Sequence, residues 1–204
     1  RYVGEAIPAD ISQALSLGAR TADEEIARGV DLFIAAYPDA GVAAAVAVSV
    51  LTSTEPVKVL ARGSAATDPD AWMDRAESVR DTRRQVIGFR HQPAELLGAL
   101  EQPVLAAAVG FVLRAAARRT PVVLDGPAIT AAALTAYEAQ PRAVRWWWAA
   151  DTTQDPAHAL ALTAMGLRSV LDLGLGLNDG TAGLLALPVL RAAGRLVSEP
   201  DRAG

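Results

Sequence analysis

The sequence has no cysteine, a single lysine (Lys58) against eighteen arginines, and two histidines, His91 and His158. The missing thiols exclude disulfides, thiol nucleophiles and cysteine-based metal sites, and they fit a cytoplasmic protein. Two histidines are too few for a histidine-rich metal centre. Neither a metal nor a cofactor is expected. Long apolar runs are also missing. Val42–Val48 falls far short of the roughly 20 residues that cross a bilayer, and no charged, apolar, small-residue leader is seen, so neither membrane insertion nor secretion is expected. The formal net charge of −4 argues against a nucleic-acid partner. What is abundant is apolar: 51% of the 204 residues are hydrophobic. That supplies a large core and suits one α/β domain over residues 1–204.

Read in order, the chain alternates helical and strand patterns. Ile11–Gly29 has apolar residues at helical spacing, with Ser12 as the expected cap and Gly29 as the stop. Val30–Ala35 reads as a buried strand, Tyr37–Gly41 as a turn, and Val42–Leu51 as a buried helix. Glu55–Gly63 is a short helical stretch. Asp68 opens a charged, solvent-facing helix to about Gln85. Ala94–Arg119 is helical with a break at Pro103. Pro121–Leu124 is a strand ending in Asp125-Gly126, and Ala128–Gln140 is a helix. Val144–Ala150 is a strand whose three tryptophans, Trp146 to Trp148, must alternate between sheet faces. Pro156–Met165 is a helix. Repeated strand–helix order implies a mainly parallel sheet flanked by helices, a Rossmann-like three-layer α/β fold.

The densest local signal is residues 168–198. Ser169–Leu173 has the pattern of a buried strand. Gly174, Gly176, Gly180 and Gly183 follow within a few residues, and Thr181 leads into an apolar helix over Leu184–Val197. Ligands of open α/β sheets sit at the carboxyl ends of strands, beside helix N-termini. Asp179 is therefore either a helix cap or a general base for an N–H of a ring substrate. Asp125 ends a strand before Gly126 and is either a turn residue or a ligand contact. Asp151, with Thr152 and Thr153 after the tryptophan strand, reads as a cap rather than a ligand contact. Asp39 and Gly41 lie where a phosphate loop would be, but one glycine and Pro38, which has no N–H, match neither a P-loop nor the dinucleotide fingerprint. Arg75, Arg80, Arg83 and Arg84 share a charged helix. That is a solvated face, unless one of them holds a phosphate. His158 reads as structural.

The order of these motifs resembles the nicotinate-nucleotide:dimethylbenzimidazole phosphoribosyltransferases of cobalamin lower-ligand synthesis. LDLGLGLNDGTAGLLALPVLRAAGRLVSE resembles that family's closing motif. RRTPVVLDGPAITAAAL is similar to its strand, Asp-Gly and Ala-rich helix. ADTTQDPAHALAL resembles the segment ending in Pro-x-His before the last strand, and DISQALSLGARTADEEIARGVDLFI its central helix and strand. The resemblance covers nearly the whole chain in collinear order. It implies a pentosyltransferase that moves a 5-phosphoribosyl group from nicotinate mononucleotide to a benzimidazole nitrogen without metal or cofactor. Asp179 then matches the catalytic glutamate, and Leu177, Asn178, Gly180 and Thr181 match the loop beside it. Arg75 falls near the family's phosphate-binding lysine. Asp39, Gly41 and Asp125 are further candidate substrate contacts. The implied partners are a nucleotide, an aromatic base, and a second copy or a second subunit.

The sequence also departs from that pattern. Asp179 is one methylene shorter than the family's glutamate, and a displacement of about 1 Å can lower a rate on the order of 100-fold. Tyr37 stands where the phosphate loop has an acid, and Val42-Ala43-Ala44 replaces a polar triplet. Glu101-Gln102 stands for a Gly-Gly, and Ala150-Asp151 for a Ser-His pair. Family members carry an additional N-terminal portion. Two functions are therefore set side by side: an active phosphoribosyltransferase, and a catalytically impaired homologue that binds ligand, regulates, or serves as a partner subunit.

Overall fold

A computed structural model describes residues 6–37, 41–62 and 68–198. Helix α1 (Ile11–Ala27) is capped by Asp10, not by Ser12: the Asp10 carboxylate accepts the Gln13 N–H at 2.8 Å. Asp10 lies just outside the first turn, where its side chain can fold back on the free N–H groups. Strand β1 (Phe33–Ala36) starts later than the apolar run from Val30, and α2 (Gly41–Leu51) follows. The expected helix after Glu55 shrinks to one 3₁₀ turn, Pro56–Lys58, and Gly63 is outside the described residues. Helix α3 (Pro69–Val86), capped by Asp68, buries Val79 and Val86, packs Trp72 and Ala76 partly against the core, and is otherwise mostly solvated, as its charge pattern implied.

The apolar stretch from Ala94 is two helices, α4 (Pro93–Leu100) and α5 (Pro103–Ala117). Glu101 between them takes a left-handed φ of 50°, and the residue before a proline avoids helical geometry. Strand β2 (Val122–Asp125) leads to α6 (Pro127–Ala139). A 3₁₀ turn, Pro141–Trp146, precedes β3 (Trp147–Ala149), so the tryptophan strand is shorter than its sequence suggests. Helices α7 (Pro156–Met165) and α8 (Thr181–Ser198) complete the order. Five helices, α3 to α7, begin on a proline. That position needs no N–H and favours proline's fixed φ.

The fold is α/β, a three-stranded parallel sheet in the order β1-β2-β3 with helices packed around it. The expected fourth strand at Ser169–Leu173 does not form. Ser169 makes one isolated bridge to Ala149, and the N–H groups of Val170 and Leu171 reach the carbonyls of Ala149 and Ala150. Beyond that the chain turns away, because the next available N–H groups are taken by a side chain described below. The main core lies between the sheet and helices α1–α7, with Trp147, Leu96, Leu105 and Leu124 among its fully buried members. A much smaller cluster, Val123, Ala150 and Ala182, lies on the side of α8. Among the described residues no helix is long and apolar enough to cross a membrane.

Candidate functional site

Strand β2 delivers Asp125 to the carboxyl edge of the sheet, where it is buried. Its Oδ2 accepts the Gly183 N–H of α8 at 3.0 Å, so the carboxylate caps a helix far away in sequence. Burial pushes its pKa above the ordinary carboxylate value, and the nearby Asp179 charge adds to this. N–H groups of Gly183 and Ala182 offset part of the rise. Gly126 then takes a φ of 95°, and a Cβ there would lie 2.4 Å from Asn178 Oδ1. Only glycine permits both the backbone angle and the approach. Asn178 itself is left-handed (φ 58°), and its Oδ1 is buried without a hydrogen-bond partner.

The loop from 173 to 180 is held at its other end by Asp151, at the end of β3. The Leu173 and Leu175 N–H groups donate to its two oxygens at 2.7 and 2.9 Å. Burial would raise the Asp151 pKa, but these donors outweigh it and hold the group below the usual value. This overturns the cap reading of Asp151: the helix cap is Asp155, whose Oδ1 accepts the Ala157 N–H. It also explains the missing strand, since amides that would pair with β3 turn toward a carboxylate instead. Thr152 Oγ1 donates to Asp172 Oδ1 at 2.6 Å and reinforces the same bend.

Asp179 is exposed. Its Oδ1 accepts the Thr181 N–H at 2.9 Å, and hydrogen bonds from the Thr181 side chain and N–H hold its pKa below the ordinary value. The first turn of α8 is therefore occupied by two carboxylates of the chain itself. An anion would meet repulsion there, whereas a cationic ring or a ring N–H would be attracted.

Positive character lies next to it. A recess of about 80 Å³ is lined by Gly41 of α2, Trp72 and Arg75 of α3, Pro127 of α6, and Asp155 and Ala157 at the start of α7. Three helix N-termini converge there, and each carries partial positive charge. Trp72 Nε1 donates to Ala61 O at 3.1 Å and fixes one wall. Burial raises the Asp155 pKa, while the Ala157 and His158 N–H groups and the Arg75 charge oppose the rise.

The expected residues therefore fall into two adjoining groups. Asp125, Asn178, Asp179, Gly180 and Thr181 gather at the start of α8, with Leu177 exposed beside them. Gly41 and Arg75 share the recess, which meets the first group through Gly126-Pro127. Asp39 lies outside the described residues. Asp155 carried no expectation, although an Asp-Pro pair opening a helix is a sequence signal for a cap. Arg80 is not part of either group; it pairs with Asp81 on the open face of α3. Among the described residues no cluster of three or more His, Cys, Asp or Glu could hold a metal.

A family model described as phosphoribosyltransferase matches residues 4–203. The chain is 44% identical over 186 residues to the nicotinate-nucleotide–dimethylbenzimidazole phosphoribosyltransferase of Mycobacterium avium (strain 104), covering 90% of this chain and 53% of that one. It is 39% identical over 188 residues to the protein of that name from Corynebacterium efficiens, covering 90% and 50%. A crystal structure under the same enzyme name from Thermus thermophilus superimposes with a TM-score of 0.81 at 29% identity, covering 93% of this chain and 56% of the other. The chain thus spans about half the length of the curated relatives it matches.

Proposed function

The chain belongs to the phosphoribosyltransferase family whose model spans residues 4–203, and we propose that it transfers a phosphoribosyl group from nicotinate mononucleotide to dimethylbenzimidazole. The observation that carries this reading is the paired arrangement of opposite characters. A carboxylate pair, Asp125 and Asp179, adjoins a recess holding Arg75 and helix N-termini. In the donor nucleotide the glycosylated pyridine nitrogen is cationic and the phosphate anionic. Arg75 and the N-termini of α2 and α6 would attract the phosphate in the recess, against the Asp155 carboxylate that also lines it, and the carboxylates at α8 suit the ring and the positive charge that develops at the ribose anomeric carbon as the bond to nicotinate breaks. The bond's electron pair leaves with the nicotinate nitrogen. A benzimidazole nitrogen forms the new bond to the same carbon, and Asp179 takes the proton from the ring N–H.

A second reading has its own support. The Asp179 carboxylate is already engaged by Thr181 and held below its usual pKa, which weakens it as a base. That favours a homologue that binds the nucleotide without turning it over. Calorimetric titration with nicotinate mononucleotide, followed by a turnover assay with dimethylbenzimidazole, separates the two. For the enzyme, binding and turnover are both expected, and Asp179→Ala should lower turnover by on the order of 100-fold or more with an unchanged circular dichroism spectrum. Turnover that survives the substitution would remove Asp179 from the chemistry. Binding without turnover would establish the second reading.

A further inference from the structure

Residues 172–179 join the sheet to α8 and carry Asp179, yet among the described residues no backbone–backbone hydrogen bond holds them. Gly174, Gly176, Asn178 and Gly180 take left-handed φ of 64°, 62°, 58° and 98°. A loop with every second residue left-handed forms neither strand nor helix, so its path is set by other contacts. Successive N–H groups around a left-handed residue can turn to one side and form a concavity for an anion. Here that concavity is filled from within the chain. The Leu173 and Leu175 N–H groups donate to the two oxygens of Asp151 at 2.7 and 2.9 Å, one oxygen each. The Gly174 N–H between them and the Thr152 N–H also face the carboxylate.

Asp151 is 3% exposed and both its oxygens are occupied, so it is closed to a substrate. Among the described residues no arginine or lysine pairs with it; N–H groups meet its charge and keep it ionised. Hydrogen bonds to an ionised acceptor are roughly twice as strong as neutral ones. The neighbouring residues extend the clasp. Thr152 Oγ1 donates to Asp172 Oδ1 at 2.6 Å. Thr153 Oγ1 lies 2.9 Å from Nδ1 of the buried His158 and accepts the Asp155 N–H at 3.3 Å, which ties the same segment to the start of α7. One short segment, 151–155, thus grips the loop on one side and a packed helix on the other.

We propose that Asp151 is a positioning residue for the reaction: its carboxylate fills the N–H concavity of residues 173–175 and so fixes the loop that presents Asp179 at the start of α8. Asp179 is exposed, and its side chain bonds within its own turn, to Thr181. Its place relative to Asp125 and the recess therefore depends on where the loop delivers it. Packing of Asn178 against Gly126 locates the far end of the loop, and Asp151 locates the near end. A displacement of about 1 Å can lower a rate on the order of 100-fold. The role of Asp179 as base rests on the proposed function; the clasp itself does not.

The test pairs Asp151→Ala with added formate, a carboxylate small enough to replace the one removed. In two-dimensional NMR spectra of the labelled chain, the Gly180 and Thr181 amide resonances should shift in the variant and return toward their wild-type positions in excess formate. Unmoved resonances, or shifts that formate does not reverse, would overturn the proposal. In turnover, the variant should lose on the order of tenfold or more in kcat, with KM for nicotinate mononucleotide changed less than about threefold, because a misplaced base weakens the transition state and not ground-state binding. Formate should restore most of that loss and leave the wild type unchanged. Asp151→Asn keeps the side chain's shape and covers the case in which Asp151→Ala does not fold. It leaves one acceptor for two N–H donors, so intermediate shifts and an intermediate loss are expected, without rescue, since the concavity stays full. Wild-type kcat in either variant would overturn the proposal. A wild-type chain without turnover, whose Gly180 and Thr181 resonances still follow the substitution and the formate, would remove the proposed function and leave the clasp standing.

Discussion

His158 is a residue whose chemistry is set by its surroundings alone. It is 1% exposed, its Nδ1 lies 2.9 Å from Thr153 Oγ1, and its Nε2 has no partner. Burial lowers its pKa to about 4, against a small opposing pull from Asp151. The unfolded chain therefore takes up a proton near pH 6.5 that the folded chain refuses until about pH 4. Stability from this group is present above pH 6.5 and lost as pH falls through that window, amounting to about 2 kcal/mol by pH 5. Urea unfolding at pH 7 and pH 5 should show the loss, and His158→Gln should remove most of it. An identical pH dependence in the variant would show that other groups govern acid sensitivity. Asp179 behaves in the opposite way. Its pKa is depressed, so its ionised form persists into acid, and the acid limb of any turnover profile that depends on it should lie below the ordinary carboxylate range. The positions of Asp179 and Asp125 at helix starts are legible from the sequence, because a glycine-rich loop before an apolar helix and an Asp-Gly after a strand both announce themselves locally. Asp151 is not. Its partners, Leu173 and Leu175, are 22 and 24 residues away, and no local pattern encodes a contact over that separation.

At the scale of elements, α1 packs tightly against α5, and two glycines permit it. A Cβ on Gly18 would fall 1.8 Å from Ala107 O, and one on Gly110 would fall 2.0 Å from Leu15 O. Both obstacles are backbone, so neither can swing aside. Gly18→Ala is expected to force the helices apart and destabilise the protein by about 3 kcal/mol, while Gly98→Ala, with nothing within 4 Å, should be neutral or slightly stabilising. Comparing the two variants by thermal unfolding checks the claim; equal effects would show that the helices adjust freely. Asp23 completes the same seam by accepting from Arg114 and Arg118 at 2.7 and 3.0 Å. The helices themselves are readable from periodicity, proline starts and aspartate caps, and Pro156–Met165 matches its sequence reading at both ends. The departures have common causes. Asp10 and Ser12 are both good cap residues two positions apart, and local pattern does not separate them. The strands at Val144 and Ser169 fall short of their apolar runs because such runs mark burial without saying whether the backbone pairs.

At the scale of the whole molecule, the unequal sheet faces imply unequal stability. The α/β class and parallel order follow from the alternation of patterns, but the imbalance does not, since it depends on which faces find partners. Helices α1–α7 share one extensive core, and β2 is buried along its whole length. Helix α8 is held by a small apolar cluster, by the Gly183 N–H bond to Asp125, and by the loop bonds to Asp151. Regions with few buried apolar contacts open below the global unfolding free energy. Native-state hydrogen exchange of the 204-residue chain should therefore show α8 amides opening at a free energy several kcal/mol below that of β2, with Asp151→Ala widening the gap by releasing the loop that leads into α8. Hydrogen bonds to a charged acceptor are worth about 1.5–3 kcal/mol each, and partial exposure of the Leu173 and Leu175 bonds places them toward the lower end, so the widening should still be measurable. Equal protection of α8 and β2 would mean that the small cluster on the second face is coupled to the main core through the sheet, and that the molecule opens as one unit despite its uneven layers.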